Sequence, residues 1–144
     1  MNDIISKLKT PEECEILEKN ATDRNRLDLA LAARKRAIEL RALSYGAKTD
    51  AERDCLEAVY AYEEVLRKKN GKKTRASRTW QSIKRHGILG AVERAVNREA
   101  ETVGYRALLN IGLKDYAFEA VVIRYPNLFS AEALQRSQAR INEQ

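Results

Sequence analysis

The pattern of apolar and polar positions predicts helices from the start of the chain. Thr10 is followed by Pro11, and Glu13 lies three residues after Thr10, which is the capping-box arrangement that begins a helix. We predict that this helix ends near Asn20. A second, longer helix, rich in alanine and leucine, is predicted to end at Gly46.

A third helix of about twenty residues is predicted after Thr49, which again has a glutamate three residues later. Its apolar positions recur at helical spacing, at Cys55, Val59, Tyr62 and Leu66, and Gly71 supplies the stop. We expect the two long helices on either side of Gly46 to form an antiparallel pair.

The next two predicted helices are shorter and meet at a glycine. Ala76, Trp80 and Ile83 line one face of a helix that ends near Gly87. A following helix ends near Arg98, and its apolar face consists of Ala91, Val92, Ala95 and Val96.

The last third of the chain is predicted to form helices over about 101–110 and 114–124. The run "AVVI" at 120–123 fits a helix face better than a strand. Pro126 breaks the chain, and Ser130 caps a last amphipathic helix that extends to about Ile141. No segment alternates as a strand would.

These elements predict an all-α bundle of about six to seven helices. At 144 residues the chain has the length of one domain, 1–144. Within it we distinguish N-terminal helices at 1–70, a basic segment at 71–98 and C-terminal helices at 99–144.

The charge changes this picture because it is concentrated in one place. The net charge is +6, and residues 67–86 contain nine lysines or arginines and no acidic residue. Residues 87–144 carry equal numbers of each sign. A block of like charge marks either a solvated segment or a surface that meets an anion.

The basic segment resembles a helix-turn-helix whose turn is His86-Gly87-Ile88-Leu89. In that interpretation the second helix presents side chains that can contact base edges, namely Glu93, Arg94, Asn97 and Arg98. The phosphate contacts would come from Lys72, Lys73, Arg75, Arg78, Lys84 and Arg85. Hydroxyl and amide donors are interleaved with them at Thr74, Ser77, Thr79 and Gln81.

Two other interpretations of this segment stay open. One is an ordinary helical corner with a solvated basic face. The other is a helix-hairpin-helix, in which "GILG" at 87–90 would grip backbone phosphate, although its spacing is one residue too long and Arg94 occupies the expected small position.

Two single residues in the segment have competing interpretations. Trp80 could stack on a base, but its helical spacing with Ala76 and Ile83 favours a place in the core. His86 is the only histidine, so we expect a turn residue or a phosphate contact there, and no metal site.

Arg34 and Arg41 fall on the apolar arc of the helix over about 26–44. An unpaired charge in that position costs several kcal/mol, so we expect ion pairs. The acidic helix that follows is the expected source of partners, through Asp54, Glu57, Glu63 or Glu64. The alternative is that both arginines line a pocket for an anionic ligand.

The remaining chemistry of the sequence is sparse. Cys14 and Cys55 stand alone in helical stretches, so we expect reduced thiols. No leader pattern is present, and no apolar run approaches the roughly 20 residues that span a bilayer, so we expect a soluble, cytoplasmic protein. We find no catalytic set and expect neither an enzyme nor a cofactor.

The sequence therefore favours a small helical nucleic-acid-binding protein. It would act on duplex DNA as a regulator or accessory factor, through the basic segment. The competing hypothesis is a helical protein–protein interaction module, whose basic face is solvated or contacts an acidic partner.

Overall fold

The computed structural model describes residues 2–98 and 102–142, and every regular element in these ranges is helical. This confirms the all-α prediction. The described part of the chain contains α1 (Asn2–Ser6), α2 (Pro11–Asp23), α3 (Leu27–Tyr45), α4 (Asp50–Asn70), α5 (Ser77–Val96), α6 (Thr102–Asn110), α7 (Phe118–Arg124) and α8 (Ala131–Asn142).

The chain divides into two compact units, Met1–Gly46 and Ala47–Gln144. The first contains α1 to α3 and the second α4 to α8. The predicted pairing of α3 with α4 would join the two units, and it stays a prediction, as does the single-domain organisation. Among the described helices, none is both long and apolar enough to cross a membrane.

In the first unit α2 and α3 pack as a hairpin. The capping box at Thr10 is present, because the Glu13 amide donates to the Thr10 hydroxyl at 3.2 Å and the Thr10 amide donates to the Glu13 carboxylate at 3.0 Å. The helix extends to Asp23, three residues further than predicted. Helix α1 was not predicted from the sequence.

Arg34 and Arg41 are paired, as expected, and within the first unit their partners belong to a helix that the sequence analysis did not name. Arg34 contacts Glu18 at 2.6 Å and Arg41 contacts Glu15 at 2.9 Å, and both carboxylates belong to α2. The short connection between α2 and α3 places the two helices side by side, so the preceding helix supplies the partners. Because both guanidinium groups are neutralised, the basis for an anion pocket is removed.

In the second unit α4 packs against α5, α6 and α7, and α7 packs against α8. The helix ends of α4 agree with the prediction, with Thr49 as N-cap and Gly71 as C-cap. The largest fully buried side chains of this unit are Leu56, Val59, Val92, Val96, Leu113, Val121 and Val122.

Both cysteines are buried and free, which confirms the thiol prediction. Burial raises the pKa of Cys55 to about 12 and also raises the pKa of Cys14. Neither thiol is therefore ionised at neutral pH, and both act as small core side chains.

The C-terminal elements largely follow their predictions. Glu101 lies outside the described residues, and the rest of the helix predicted there is α6. The segment predicted as a helix over 114–124 forms a short 3₁₀ turn, Lys114–Tyr116, followed by α7, which includes "AVVI". Ser130 caps α8, because its hydroxyl accepts the Ala133 amide at 3.0 Å.

Candidate nucleic-acid interface

Helix α5 carries half of the ten predicted contact residues, and it is interrupted at Gly87. This residue has φ 81° and ψ 170°, a conformation that is essentially limited to glycine. The helical halves 77–86 and 88–96 are therefore separated by one residue. A helix-turn-helix has a turn of three to four residues, so the break in α5 is shorter than that motif requires.

Gly90 has a different structural role from Gly87. A Cβ atom at Gly90 would lie 3.1 Å from the Cβ of His86, which is closer than side chains normally pack. A Cβ at Gly87 would contact nothing within 4 Å. In "GILG", the first glycine therefore allows the backbone conformation at the break, and the second allows its backbone to lie close to the His86 side chain.

A carboxylate from α4 fixes the start of α5. Glu63 Oε2 accepts hydrogen bonds from the Ala76 amide and from the Trp80 indole, each at 2.8 Å. The Trp80 ring is half-buried against Tyr60, with ring centroids 5.3 Å apart, and the Arg75 guanidinium lies 5.0 Å from the Trp80 ring centroid. Trp80 thus packs at the core edge, and Arg75 covers it from outside.

Glu93 fixes the second half of α5. It accepts hydrogen bonds from the Ser130 hydroxyl at 2.6 Å, the Ser130 amide at 2.8 Å and the Asn97 side-chain amide at 2.7 Å. Burial acts to raise the pKa of Glu93, but these hydrogen bonds together hold it below its ordinary value. Two of the four side chains predicted to contact base edges, Glu93 and Asn97, are thus engaged inside the protein.

Arg140 joins the end of α5 to α7 and α8. Its Nη1 lies 2.9 Å from Glu119 Oε2, and its Nη2 donates to the Arg98 carbonyl at 2.6 Å. Arg140 is only 6% exposed and Glu119 only 3%. This buried pair was not expected from the sequence, and it holds the backbone that carries the Arg98 side chain.

A groove of about 460 Å³ runs along the break in α5. Its lining is basic and polar, and consists of Arg78, Gln81, Ser82, Arg85, His86, Arg94 and Arg98. The spacing of Arg78, Ser82 and Arg85 puts them on one face of the first half of α5. Arg94 and Arg98 come from the second half and the residues just after it.

The four groove arginines differ from most other arginines of the chain. Within residues 2–98 and 102–142, none of the four forms an ion pair with a carboxylate, whereas Arg53, Arg67, Arg124, Arg136 and Arg140 all do. No lining residue is acidic. Four like charges around one concavity, without carboxylate partners in the described residues, produce a positive potential that an anion would relieve.

The structure brings together only some of the predicted contact residues. Arg78, Arg85, Arg94 and Arg98 share the groove, and Asn97 lines an adjoining cleft with His86, Gly90, Glu93, Arg94 and Arg98. Lys72, Lys73 and Arg75 lie in the loop between α4 and α5. Lys84 is exposed but lines neither concavity.

One lining residue was missed by the sequence analysis. The Ser82 hydroxyl is buried and has no hydrogen-bond partner among the described residues. The helical spacing of Ser82 with Arg78 and Arg85 is a signal that would have found it.

The break in α5 leads to a first testable prediction. Gly87→Ala should lower the free energy of unfolding by about 1–3 kcal/mol, because any side chain strains this backbone conformation even though the new methyl group meets no atom. Chemical denaturation followed by circular dichroism measures the change. An unchanged midpoint would show that α5 is continuous in solution.

Comparison of the chain with models of protein families, with curated proteins and with solved structures finds no significant match. The groove along α5 is therefore the feature from which a function can be inferred.

Proposed function

We propose that this protein is a small nucleic-acid-binding module whose contact surface is the groove along α5. The observation that carries the proposal is the convergence of Arg78, Arg85, Arg94 and Arg98 on one concavity without carboxylate partners in the described residues. A polyanion with regularly spaced charges is the ligand that matches several guanidinium groups at once.

The chemistry of the lining favours phosphate groups over base edges. A guanidinium group presents planar paired donors that fit a phosphate, and its charge persists at any physiological pH. Gln81 and His86 add further hydrogen-bonding side chains beside the arginines. Base-specific contacts are less favoured, because Glu93 and Asn97 hydrogen-bond to each other and Glu93 also binds Ser130.

Elsewhere in residues 67–86, two of the charges already have structural partners. Arg67 pairs with Glu64 at 2.8 Å, and Arg75 covers Trp80. The proposal therefore assigns the contact to the groove and not to the whole of residues 67–86. It predicts that substitutions in the groove weaken binding more than substitutions of equally basic residues outside it.

The test is a salt-titrated binding assay with labelled random-sequence DNA, both single strands and duplex. Arg78→Gln and Arg85→Gln should each weaken binding to all sequences alike. For each phosphate that is no longer neutralised, the log–log dependence of affinity on salt should flatten by about 0.7 for single strands or about 0.9 for duplex.

Arg106→Gln is the matched control, because Arg106 is exposed and lies outside the groove. It removes the same charge and should bind like the parent protein. Equal losses of affinity from Arg78→Gln and Arg106→Gln would mean that only net charge matters. No binding to either nucleic acid at low salt would overturn the proposal and favour the helical interaction module.

A further inference from the structure

A second concavity adjoins the arginine groove and has a different lining. Its volume is about 270 Å³, and its apolar lining comes from Tyr62 and Leu66 of α4 and from Phe118 of α7. The Tyr62 and Phe118 rings are in contact, with centroids 6.5 Å apart and planes tilted by 46°. The pocket therefore offers aromatic surface, which the groove lacks.

Two of the four groove arginines also line this pocket. Arg78 and Arg98 belong to both concavities, and Arg75 lies on the pocket as well. A ligand that occupies both places must therefore join an anionic part to a flat apolar part across Arg78 and Arg98. A nucleotide has this composition, because its phosphate is anionic and its base presents two π-faces.

The size of the pocket limits what it can hold. Drug-sized ligands need roughly 300–1,000 Å³, so a pocket of about 270 Å³ suits a single ring system and not a whole nucleotide. The phosphates must then stay outside, in the groove. A nucleic-acid strand fits this arrangement if one base is inserted beside Tyr62 and the sugar–phosphate backbone lies along the groove arginines.

We propose that the pocket takes one unstacked base, so that the ligand of the groove is single-stranded nucleic acid and not an intact duplex. This inference rests on the proposed function. In a duplex the bases are stacked and paired, and inserting one would require flipping it out at a cost of a few kcal/mol. Proteins that bind single strands combine a positive groove with aromatic side chains on which bases stack.

The experiment compares three probes of about 12 nucleotides, within the range that a small single-strand site covers. One is a single strand of mixed sequence, the second is the same strand with abasic sugars at every position, and the third is the duplex. The intact strand should bind the parent protein about tenfold more tightly than the abasic strand, since a stacked base contributes on the order of 1–3 kcal/mol. Both strands carry the same phosphates.

The protein-side variant is Tyr62→Leu, which keeps an apolar side chain and removes the ring. It should abolish the preference for the intact strand, while affinity for the abasic strand and the duplex and the salt slope stay unchanged. Tyr60→Leu is the matched control, because Tyr60 is another half-buried α4 tyrosine that does not line the pocket. Circular dichroism checks that each variant is folded.

The outcomes separate this inference from the function on which it rests. Equal binding of intact and abasic strands by the parent protein would overturn the pocket assignment and leave the arginine groove standing. Disappearance of the preference in both tyrosine variants would also overturn it. No binding of any probe would overturn the proposed function itself.

Discussion

Arg140→Leu should be among the most destabilising substitutions in the chain, lowering the free energy of unfolding by about 3–5 kcal/mol. Removing the guanidinium leaves the Glu119 carboxylate, 3% exposed, without its charged partner. It also removes the donor to the Arg98 carbonyl. Because a domain of this size is stable by only about 5–15 kcal/mol, the decrease is a large fraction of the total.

The pH dependence of this destabilisation has a definite sign. Burial already raises the pKa of Glu119 in the parent protein, and the Arg140 hydrogen bond and charge oppose that shift. Without Arg140 the pKa should rise further, so the folded variant binds a proton that the unfolded chain releases. The destabilisation should therefore be greatest near neutral pH and shrink as the pH falls toward the unfolded value of a glutamate.

A double variant, Glu119→Leu with Arg140→Leu, separates the cost of an unpaired buried charge from the cost of lost side-chain packing. It should recover much of the stability at neutral pH and show no such pH dependence, because no buried charge remains. Urea denaturation at several pH values measures all three proteins. If the single and double variants lose the same stability at every pH, the Glu119–Arg140 pair has no special energetic role.

Helix boundaries were the part of the fold that local sequence determined best. Thr10, Thr49 and Ser130 supply N-cap hydroxyls, and Gly46 and Gly71 end their helices where predicted. Each signal acts within one helical turn, so no knowledge of the neighbouring elements is needed. Helix α1 was missed because its five residues are too few to show a helical period.

Partners in space were harder to predict than helices. The apolar arc that contains Arg34 and Arg41 correctly indicated ion pairs, but helical periodicity does not say which neighbour supplies the carboxylates. The burial of Arg140 had a partial signal, since it follows Ala133 and Ser137 at i+7 and i+3 on the buried stripe of α8. Because Ser137 and Arg140 are polar, the stripe did not stand out in the sequence as a buried face.

For the candidate site, the sequence indicated the charge but not its distribution. The glycine between Arg85 and Arg94 marked a break, and the arginines on both sides of it do share one groove. The sequence could not show that Arg67 is paired or that Arg75 covers Trp80. It also gave no sign that Glu93 and Asn97 are held by internal hydrogen bonds.

Replacing all four groove arginines should have the largest effect on binding. In the variant with glutamine at residues 78, 85, 94 and 98, the log–log salt slope for a single strand should fall in magnitude by roughly three units, at about 0.7 per phosphate. The protein should remain folded or become more stable, because four like charges that repel one another are removed.

The control for this variant removes four exposed basic residues that lie outside the groove: Lys7, Lys19, Arg106 and Lys114. Replacing these with glutamine produces the same net charge. Its folded state and its salt slope should match those of the parent, because none of the four lines the groove.

The most direct test of the proposed interface is therefore the salt slope of single-strand binding, measured side by side for the parent and for these two variants of equal charge. We predict that the groove variant loses most of the slope and most of the affinity at low salt, while the control keeps both. Identical slopes for the two variants would contradict the assignment of the arginine groove as the nucleic-acid interface.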